Sequence, residues 1–565
     1  MKQLPPKANL DHLKKQAKEL SRLYRNGDPT AITRFVHHLP AAAHRSHSEV
    51  TALGLRLHDA QSCIAREYGF ASWADLAVYV ETNTLAHHDL AGLIRRWLGI
   101  AYGGDVTGAY DAARPRVAVQ LLEQHPELLA TDAYVACAAG HLDMVSRTIT
   151  ADPDWTHRSG GMLNLPPLVA VTHSRLGQLP EFIGRLRECA QHLLQAGADP
   201  NQHIGNRFPP ASLAAPDENG PLSALYGAAG VIRDPALTEM LLKAGANPND
   251  GESLYHSLEN LDCTRLLLRY GARVAGTNAL RRALDMPDPA ALELLLAHGG
   301  DANEPAGEGP TKTWGAPLLR AIAVSRSTRH IAALLAAGAD PRAQTAAGVS
   351  AYRLATQVGL TKVVELLRAY GVEENLSADD KFVAACARAD AIEARRIQAL
   401  HPDLPGSLPE NGLKLLPDAA AWGSSAAVKV MVELGWPIVV RGGDWDASVL
   451  NHAVFRGDAA LTAFLLVNGA NWREIQGFGD DVLGTLSWAS INEPTGPVNP
   501  DWIGCARALV AHGLPKIERD ASNPDRVFIE GRPTVLRGSN GGLAGGRRRK
   551  PRIKLTGFVT RSQCS

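Results

Sequence analysis

The sequence predicts an all-α solenoid of stacked helix-turn-helix units, with an N-terminal helical cap and a disordered basic C-terminal tail. Two observations carry this prediction. Glycines that close apolar Leu-Leu helices recur along most of the chain, and a recurrence every ~20–50 residues is typical of a repeat architecture. Each unit also has apolar helix faces that it cannot bury alone, so neighbouring units have to stack on both sides of it.

The composition suits short helices joined by glycine turns. The 565 residues are 45% hydrophobic and only 5% aromatic, with 52 glycines. The sequence contains no run of about twenty apolar residues, which a membrane span would require. The charged first residues lack the apolar core of a signal peptide. With seven cysteines and no export signal, we expect a soluble, reduced protein of the cytoplasm.

Residues 1–85 are predicted to form the N-terminal helical cap, because they are helical in pattern but lack the repeat. Leu13, Ala17 and Leu20 share one face of a first helix. The helices expected in this segment span residues 9–25, 31–38 and 57–70, followed by one that begins near Trp73. A terminal unit of a stack must turn a polar face outward, which is the role we assign to this cap.

The clearest unit runs from Leu334 to Gly371. Gly338 and Gly371 each close an apolar helix, and the interval between them is one full period of the repeat. Between them lie a polar segment, a short helix ended by Gly359, and a second helix that carries the next Leu-Leu pair. Gly371 is predicted to adopt a positive φ, because glycine ends helices in the left-handed conformation at little steric cost.

The remaining units align on this one and amount to about twelve. We expect a first part of the array at residues 90–374, a degenerate Trp-rich second part at 378–515, and an irregular basic tail at 516–565. Expanded loops are expected at Phe208–Gly220 and Glu304–Trp314. The closing glycines that mark the units are Gly197, Gly245, Gly271, Gly299, Gly338, Gly371, Gly435, Gly469 and Gly513.

These units resemble ankyrin repeats. The segments ACAAGHLDMV, SLYHSLEN, VLNHAVFRGD and GVSAYRLATQVGLTKVVELLRAYG follow the family's helix pattern, and AGADPN and AGANPND follow its finger. The likeness covers about residues 90–514, although the family's TPLH is never intact. In the head, LHDAQSCIAREYGFASW resembles a segment, LxxAQxxIAREYGFxSW, that precedes ankyrin arrays in many bacterial proteins. The resemblance implies a bacterial ankyrin-repeat scaffold that mediates protein-protein interaction.

No catalytic or metal-binding motif is legible, so we expect no enzyme, cofactor or metal site. The sequence lacks GxxxxGK[ST], HExxH, GxSxG and CxxC. Cys189, Cys263 and Cys505 stand at one common distance before a closing glycine, which predicts a core position on the second helix. His44 and His47 could share a helical face as metal ligands, but we favour a solvated loop. No small-molecule substrate is inferred.

Residues of the finger loops are the candidate contacts for a protein partner. Six of the ten tryptophans lie between Trp422 and Trp502, and tryptophan is enriched at interface hot spots. Packing over loosely patterned units is the alternative interpretation of the same residues. The candidate partner-binding residues are Trp436, Trp445, Trp472, Arg342, Gln344 and Thr345.

The tail carries the second functional hypothesis. Residues 531–565 hold nine Lys or Arg and no Asp or Glu, whereas the rest of the chain is net acidic. Such a segment could grip phosphates without reading sequence, which would make the protein a nucleic-acid or membrane-surface adaptor. A solvated end and a shifted reading frame are alternative explanations of the tail. A host-directed effector is a third hypothesis for the protein as a whole. The basic residues concerned are Arg547, Arg548, Arg549 and Lys550.

Overall fold

The computed structural model describes most of the chain and divides it into two compact units. The first unit contains Met1–Lys14 and Ala65–Glu304, and the second contains Lys15–Ile64 and Pro305–Phe558. The described residues are 2–5, 8–85, 89–109, 113–305, 315–443, 445–492, 500–514, 518–519, 527–529 and 532–534. Among these residues, no helix is long and apolar enough to cross a membrane.

The helices expected in the head are present. Asp28 caps the second of them by accepting a hydrogen bond from the Ala31 N–H. The Tyr24 hydroxyl donates to Val50 O at 2.7 Å, and its ring meets Phe35 edge-on with centroids 5.2 Å apart. The head helices are α1 Leu10–Arg25, α2 Pro29–His38, α3 His47–Ala52, α4 Leu57–Glu67 and α5 Trp73–Leu85.

After α5, the first unit continues as successive helix pairs. An ion pair between Asp75 of α5 and Arg114 joins the end of the head to the first pair. The helices of this unit are α6 Leu90–Ala101, α7 Gly104–Thr107, α8 Pro115–Gln124, α9 Leu128–Thr131, α10 Ala133–Ala139, α11 Leu142–Ala151, α12 Pro167–Thr172, α13 Pro180–Gln195, α14 Ala224–Tyr226, α15 Pro235–Lys243, α16 Ser253–Ser257, α17 Leu261–Arg269, α18 Ala279–Asp285 and α19 Ala290–Ala297. Helix α5 packs against α6 and α8, and the role of residues 1–85 as a cap stays a prediction.

The first expanded loop is partly ordered as a β-hairpin. Strands β1 His203–Asn206 and β2 Asp217–Ser223 pair antiparallel. The buried Arg207 guanidinium donates to three backbone carbonyls, those of Val106, Leu163 and Asn164. These bonds fix the insertion on the body of the first unit. The second expanded loop, at 304–314, lies outside the described residues apart from its first two positions.

The second unit repeats the same arrangement. Its helices are α20 Pro317–Ala323, α21 Thr328–Ala336, α22 Ala351–Gln357, α23 Thr361–Ala369, α24 Ala378–Ala387, α25 Ala391–Leu400, α26 Glu410–Leu413, α27 Leu415–Trp422, α28 Ser425–Glu433, α29 Val449–Phe455, α30 Ala459–Val467, α31 Val482–Asn492 and α32 Trp502–Ala511. Short strands pair as β3 Arg441–Gly442 with β4 Ala447–Ser448, and as β5 Glu518–Arg519, β6 Val527–Ile529 and β7 Arg532–Thr534. The last three strands fall within 516–565, and the rest of that segment lies outside the described residues.

The predicted fold class is confirmed. First helices pack on first helices, as α20, α22 and α24 do, and second helices pack on second helices, as α30 and α32 do. In the part of the chain that the structure describes, six such pairs lie in residues 90–304 and six in 315–514. The helix pairs therefore form an ankyrin-type helix-turn-helix solenoid within each unit. The division of the array at residues 374–378 stays a prediction.

The closing glycines and the core cysteines behave as expected. Gly371 has φ +75°, and the eight other closing glycines also have positive φ. Val372 N donates to Leu367 O at 3.1 Å, so the turn after α23 satisfies a carbonyl that the helix leaves open. Cys189, Cys263 and Cys505 are fully buried, which confirms their core positions.

Candidate functional site

The finger of the clearest unit holds Arg342, Gln344 and Thr345 in a hydrogen-bonded hairpin. Arg342 and Gln344 are exposed and Thr345 is partly exposed. The Thr345 N–H donates to Val349 O at 2.9 Å, and its hydroxyl accepts from the Val349 N–H at 3.1 Å. These side chains are therefore presented on an ordered loop, which lowers the entropy lost when a partner binds. Their role as contacts stays a prediction.

Arg342 also has a structural partner. Its Nη2 donates to the carbonyl of Gly371, the glycine that closes the following pair, at 3.2 Å. Asn201 and Asn249, which stand at the same offset after their own closing glycines, reach the carbonyls of Gly245 and Gly271. Arg342 therefore joins two consecutive helix pairs, at a position where other helix pairs have asparagine.

Two of the three candidate tryptophans lie inside the second unit. Trp436 is 2% exposed and stacks on Phe382, with centroids 6.2 Å apart and planes at 18°. Trp472 is also buried, and the Arg473 guanidinium covers its ring at 4.3 Å from the centroid. This placement agrees with the alternative interpretation, in which the indoles pack over loosely patterned units.

The third tryptophan, Trp445, borders a pocket. The residues that line it, here called the aromatic pocket, are Trp445, Phe455, Gln476, Asp480, Gly484, Thr485 and Trp488. It is a shallow depression, and the space along these residues is about 220 Å³ when open solvent is included. Trp445 is 9% exposed, while Phe455 and Trp488 are partly exposed. The aromatic pocket is thus a shallow surface depression and not a cavity that could bury a drug-sized ligand.

The aromatic walls of the pocket contact one another. Phe455 and Trp488 are stacked, with centroids 5.7 Å apart and planes at 12°. Trp445 is tilted on Phe455 at 5.5 Å and edge-on to His452 at 4.7 Å. His452 is buried and its Nε2 donates to Gly442 O at 3.2 Å. The indole of Trp445 is thus wedged between two first-helix side chains and held in place.

The polar wall is a tight turn hydrogen-bonded to the Trp445 loop. Gln476 N donates to Asp480 O at 2.9 Å, and Gly477 N donates to Trp445 O at 3.1 Å. A Cβ on Gly477 would lie 2.8 Å from Trp445 O, so only glycine permits this approach. A Cβ on Gly484 would lie 2.7 Å from Asp480 Oδ1. The Asp480 carboxylate therefore rests against the backbone of α31 at the pocket wall.

A second layer of hydrogen bonds supports the wall. The Thr485 hydroxyl donates to Asn451 Oδ1 at 2.7 Å, and Asn451 Nδ2 donates to Glu474 O at 3.2 Å. Burial raises the pKa of the Glu474 carboxyl. The side chains of α29 and α31 are thereby locked to each other beneath the pocket.

Sequence reasoning missed Phe455 and Trp488, although a signal was present. The same interval separates Trp422 from Phe455 and Phe455 from Trp488, and it equals the interval from Gly338 to Gly371. The spacing is the period of the clearest repeat, and Phe455 and Trp488 occupy one position of the first helix in consecutive pairs. Trp422 directly precedes Gly423 and so corresponds to Arg456, which directly precedes Gly457. An aromatic repeated at that period marks a row along one face of the array.

The first unit has a buried polar cluster that offers no comparable site. His173 is fully buried, and no described residue hydrogen-bonds its Nε2. Its ring lies 5.5 Å from that of Tyr226, whose hydroxyl donates to Asp105 Oδ2 at 3.4 Å. Burial lowers the pKa of His173 to about 4. A neutral imidazole closed to solvent cannot reach a substrate in this structure.

Cysteine and metal chemistry find no support among the described residues. Burial raises the pKa of Cys189, Cys386 and Cys505 to about 12, which disfavours the reactive thiolate. No group of three or more His, Cys, Asp or Glu in the described ranges could hold a metal ion. The basic residues Arg547, Arg548, Arg549 and Lys550 lie outside the described residues.

Comparison with known proteins adds two structural likenesses. No protein-family profile and no curated protein matches the chain. It is similar to the ankyrin repeat domain of Bcl-3, a member of the IkappaB protein family, with 23% identity over 36% of this chain and 87% of that chain, at a TM-score of 0.29. It is also similar to the human ASB11 ankyrin repeat domain, with 21% identity over 42% of this chain and 98% of that chain, at a TM-score of 0.20. At these TM-scores neither likeness carries an argument, and the ankyrin-type fold rests on the helix pairs and closing glycines of the chain itself.

Proposed function

We propose that this protein is a non-catalytic ankyrin-repeat scaffold that binds a protein partner through the aromatic pocket of its second unit. The observation that carries the proposal is the placement of Phe455 and Trp488. They occupy the same position in consecutive helix pairs, they are partly exposed, and they border the aromatic pocket. Aromatic anchors on a rigid surface are characteristic of interface hot spots.

The rigidity of the site supports the same function. The pocket is built on first helices and on a turn held by backbone hydrogen bonds, so little entropy is lost on docking. The exposed finger residues Arg342 and Gln344 provide polar contacts at another part of the same unit. Buried, neutral thiols and the fully buried His173 supply no catalytic group, which favours binding over catalysis.

The cellular setting belongs to the proposal as well. The head segment, LHDAQSCIAREYGFASW, resembles one that precedes ankyrin arrays in bacterial proteins, which supports a bacterial scaffold.

The proposal is tested by affinity capture from extracts of the source cell. Wild type is compared with Trp488→Ala, which removes one wall of the pocket, and with Tyr370→Ala as matched control. Tyr370 is an exposed aromatic of the same unit that does not line the pocket. Thermal unfolding of each variant establishes that the chain is folded before capture.

We expect Trp488→Ala to lose at least one specific partner that the control retains. An undiminished set of partners with folded Trp488→Ala would contradict the assignment of the pocket as the binding surface. The complete absence of specific partners for wild type would contradict the scaffold function itself.

A further inference from the structure

Asn-Gly pairs are positions at which a polypeptide can modify itself without an enzyme. The glycine amide nitrogen attacks the carbonyl carbon of the asparagine side chain, and glycine has no Cβ to obstruct the approach. The sequence contains five such pairs, and the one at 540–541 lies outside the described residues. The other four asparagines are all exposed, so the backbone around each one decides whether it reacts. They are Asn26, Asn219, Asn411 and Asn468.

Three of these four pairs lie in or directly after a helical turn. In each of them the glycine N–H donates to a backbone carbonyl of the same turn, which fixes the peptide group that would have to attack. Reaction there first requires a local opening of the turn. The bonds run from Gly27 to Tyr24 O at 2.9 Å, from Gly412 to Pro409 O at 2.8 Å, and from Gly469 to Leu466 O at 3.2 Å.

The pair Asn219-Gly220 has a different setting, in strand β2 of the hairpin of the first unit. The pairing register with β1 skips residues 218–220, so these three residues form a bulge. Asn219 is exposed and Gly220 is partly exposed. Apart from its chain neighbours, the heavy atom nearest to a Cβ built on Gly220 is Glu252 Oε1, at 3.9 Å. The backbone of the bulge therefore has room to turn toward the Asn219 side chain.

The contacts of the Asn219 side chain lie at the surface. Asp217 Oδ1 accepts hydrogen bonds from the backbone N–H of Asn219 at 3.0 Å and from its Nδ2 at 3.1 Å. Both residues are exposed, so water competes for these bonds and their net contribution is small. The side-chain amide can therefore turn toward Gly220 while the hairpin stays folded.

We propose that Asn219 is a self-modification site at which the β1–β2 hairpin gains a negative charge with time. Gly220 N attacks Asn219 Cγ, the Cγ–Nδ2 bond breaks, and Nδ2 leaves as ammonia with the proton from the glycine amide. Water then opens the resulting succinimide at either carbonyl, which yields aspartate or isoaspartate. Water is the co-reactant, and no electrons are transferred.

The product changes the charge of the hairpin. It places a third carboxylate directly after Asp217 and Glu218 in the sequence. Isoaspartate also carries the chain through its side-chain carbon, a change of backbone that a bulge outside the pairing register can accommodate. The modification lies outside the aromatic pocket, and it stands or falls independently of the proposed function.

The test incubates the full folded chain at mildly alkaline pH in water enriched in the heavy oxygen isotope. Proteolysis and mass spectrometry then follow each Asn-Gly peptide, because heavy oxygen enters where a residue reacts during the incubation. Electron-transfer dissociation distinguishes isoaspartate from aspartate by their backbone fragments. Asn26, Asn411 and Asn468 are matched controls within the same molecule.

We expect Asn219 to react at least about tenfold faster than the three controls, because their turns have to open first. In urea that unfolds the chain, the rate at Asn219 should change little, and the rates of the controls should approach it. Gly220→Ala should slow the reaction at Asn219 and leave the controls unchanged, since the added Cβ obstructs the attack but fits the open bulge. Thermal unfolding establishes that this variant is folded.

Equal rates at the four asparagines of the folded chain would overturn the inference. A reaction at Asn219 that occurs in urea but not in the folded chain would do the same, because it would show that the hairpin protects the residue. An unchanged rate in folded Gly220→Ala would rule out attack by the glycine nitrogen and with it the proposed site.

Discussion

Phe455 of α29 and Trp488 of α31 stack nearly parallel, with ring centroids 5.7 Å apart and planes at 12°. They stand at equivalent positions of consecutive helix pairs, one period of the repeat apart. The two stacked side chains therefore join two consecutive helix pairs and form one wall of the aromatic pocket. A single contact thus serves both the stability of the array and the proposed binding surface.

Phe455→Leu and Trp488→Leu should be coupled in their effect on stability. A stacked aromatic pair contributes about 0.5–1.5 kcal/mol beyond its buried area, so the double variant should lose less than the sum of the single variants by that amount. A double-mutant cycle on the free energy of unfolding, followed by far-UV circular dichroism in urea, measures the coupling. The control cycle pairs Trp488→Leu with Tyr370→Leu, and additive losses in both cycles would refute the contact.

Gly371→Val should destabilise the protein by more than about 1 kcal/mol. Gly371 has φ +75°, a conformation that a β-branched residue adopts only with strain. No heavy atom lies within 4 Å of the Cβ position, so the loss would come from the backbone rather than from a clash. Gly371→Asn is the control, because asparagine tolerates this conformation. An unchanged midpoint for the valine variant would show that the turn relaxes freely.

His173 should make the protein less stable as the pH falls from about 6.5 to about 4. Burial is the largest cause of its lowered pKa, and the charges of Arg175 and Arg207 lower it further, against the opposing effect of Asp105. The unfolded chain takes up the proton below its ordinary pKa of 6.5, while the folded chain resists until about 4. The contribution of His173 to the free energy of unfolding is therefore fully present above about pH 6.5. It is lost as the pH falls to about 4, and the loss is about 3 kcal/mol at most.

The measurement is denaturant unfolding at several pH values for wild type, His173→Gln and the control His12→Gln. His12 is an exposed histidine of α1. The stability of His173→Gln should depend less on pH in the window, whereas His12→Gln should follow wild type. Identical profiles for wild type and His173→Gln would place the pH dependence elsewhere.

Replacing Arg547, Arg548, Arg549 and Lys550 with alanine should leave capture of the partner unchanged, because the residues that line the aromatic pocket lie between Trp445 and Trp488. The adaptor hypothesis predicts the opposite. It requires a salt-sensitive association with nucleic acid or anionic vesicles that weakens on this replacement. Filter binding to duplex DNA and co-sedimentation with phosphatidylserine vesicles, each at two salt concentrations, distinguish the two. Loss of the captured partner in this variant would favour the tail.

The helix pairs could be predicted because their boundaries depend on local chemistry. Gly338 and Gly371 each end a helix, because the residue that follows the helix adopts a positive φ that glycine tolerates best. The apolar pattern of the second helix follows from its burial between neighbouring helix pairs. The same logic placed Cys189, Cys263 and Cys505 in the core. These features could be predicted without knowing which helix pairs are in contact, because every helix pair packs on its neighbours in the same way.

The pocket could not be predicted by the same route. Trp436 and Trp472 stand near fingers in the sequence, but the direction of an indole depends on the packing of the next pair, as the stacking of Trp436 on Phe382 shows. Phe455 and Trp488 stand on helices that resemble ordinary core segments in sequence, although they remain partly exposed. Only their separation by one repeat period indicates that they share a face.

The side chains of Asn201, Asn249 and Arg342 each donate a hydrogen bond to the carbonyl of the next closing glycine and so clamp one interval of the array. These clamps have a consequence for how the chain tolerates changes in loop length. The first clamped interval, which contains the β1–β2 hairpin, is much longer than the other two, yet each ends in the same contact with a glycine carbonyl. Loop length is therefore uncoupled from the spacing of the helices. Insertions such as this hairpin can lengthen or reshape a finger while the stacking beneath it continues undisturbed.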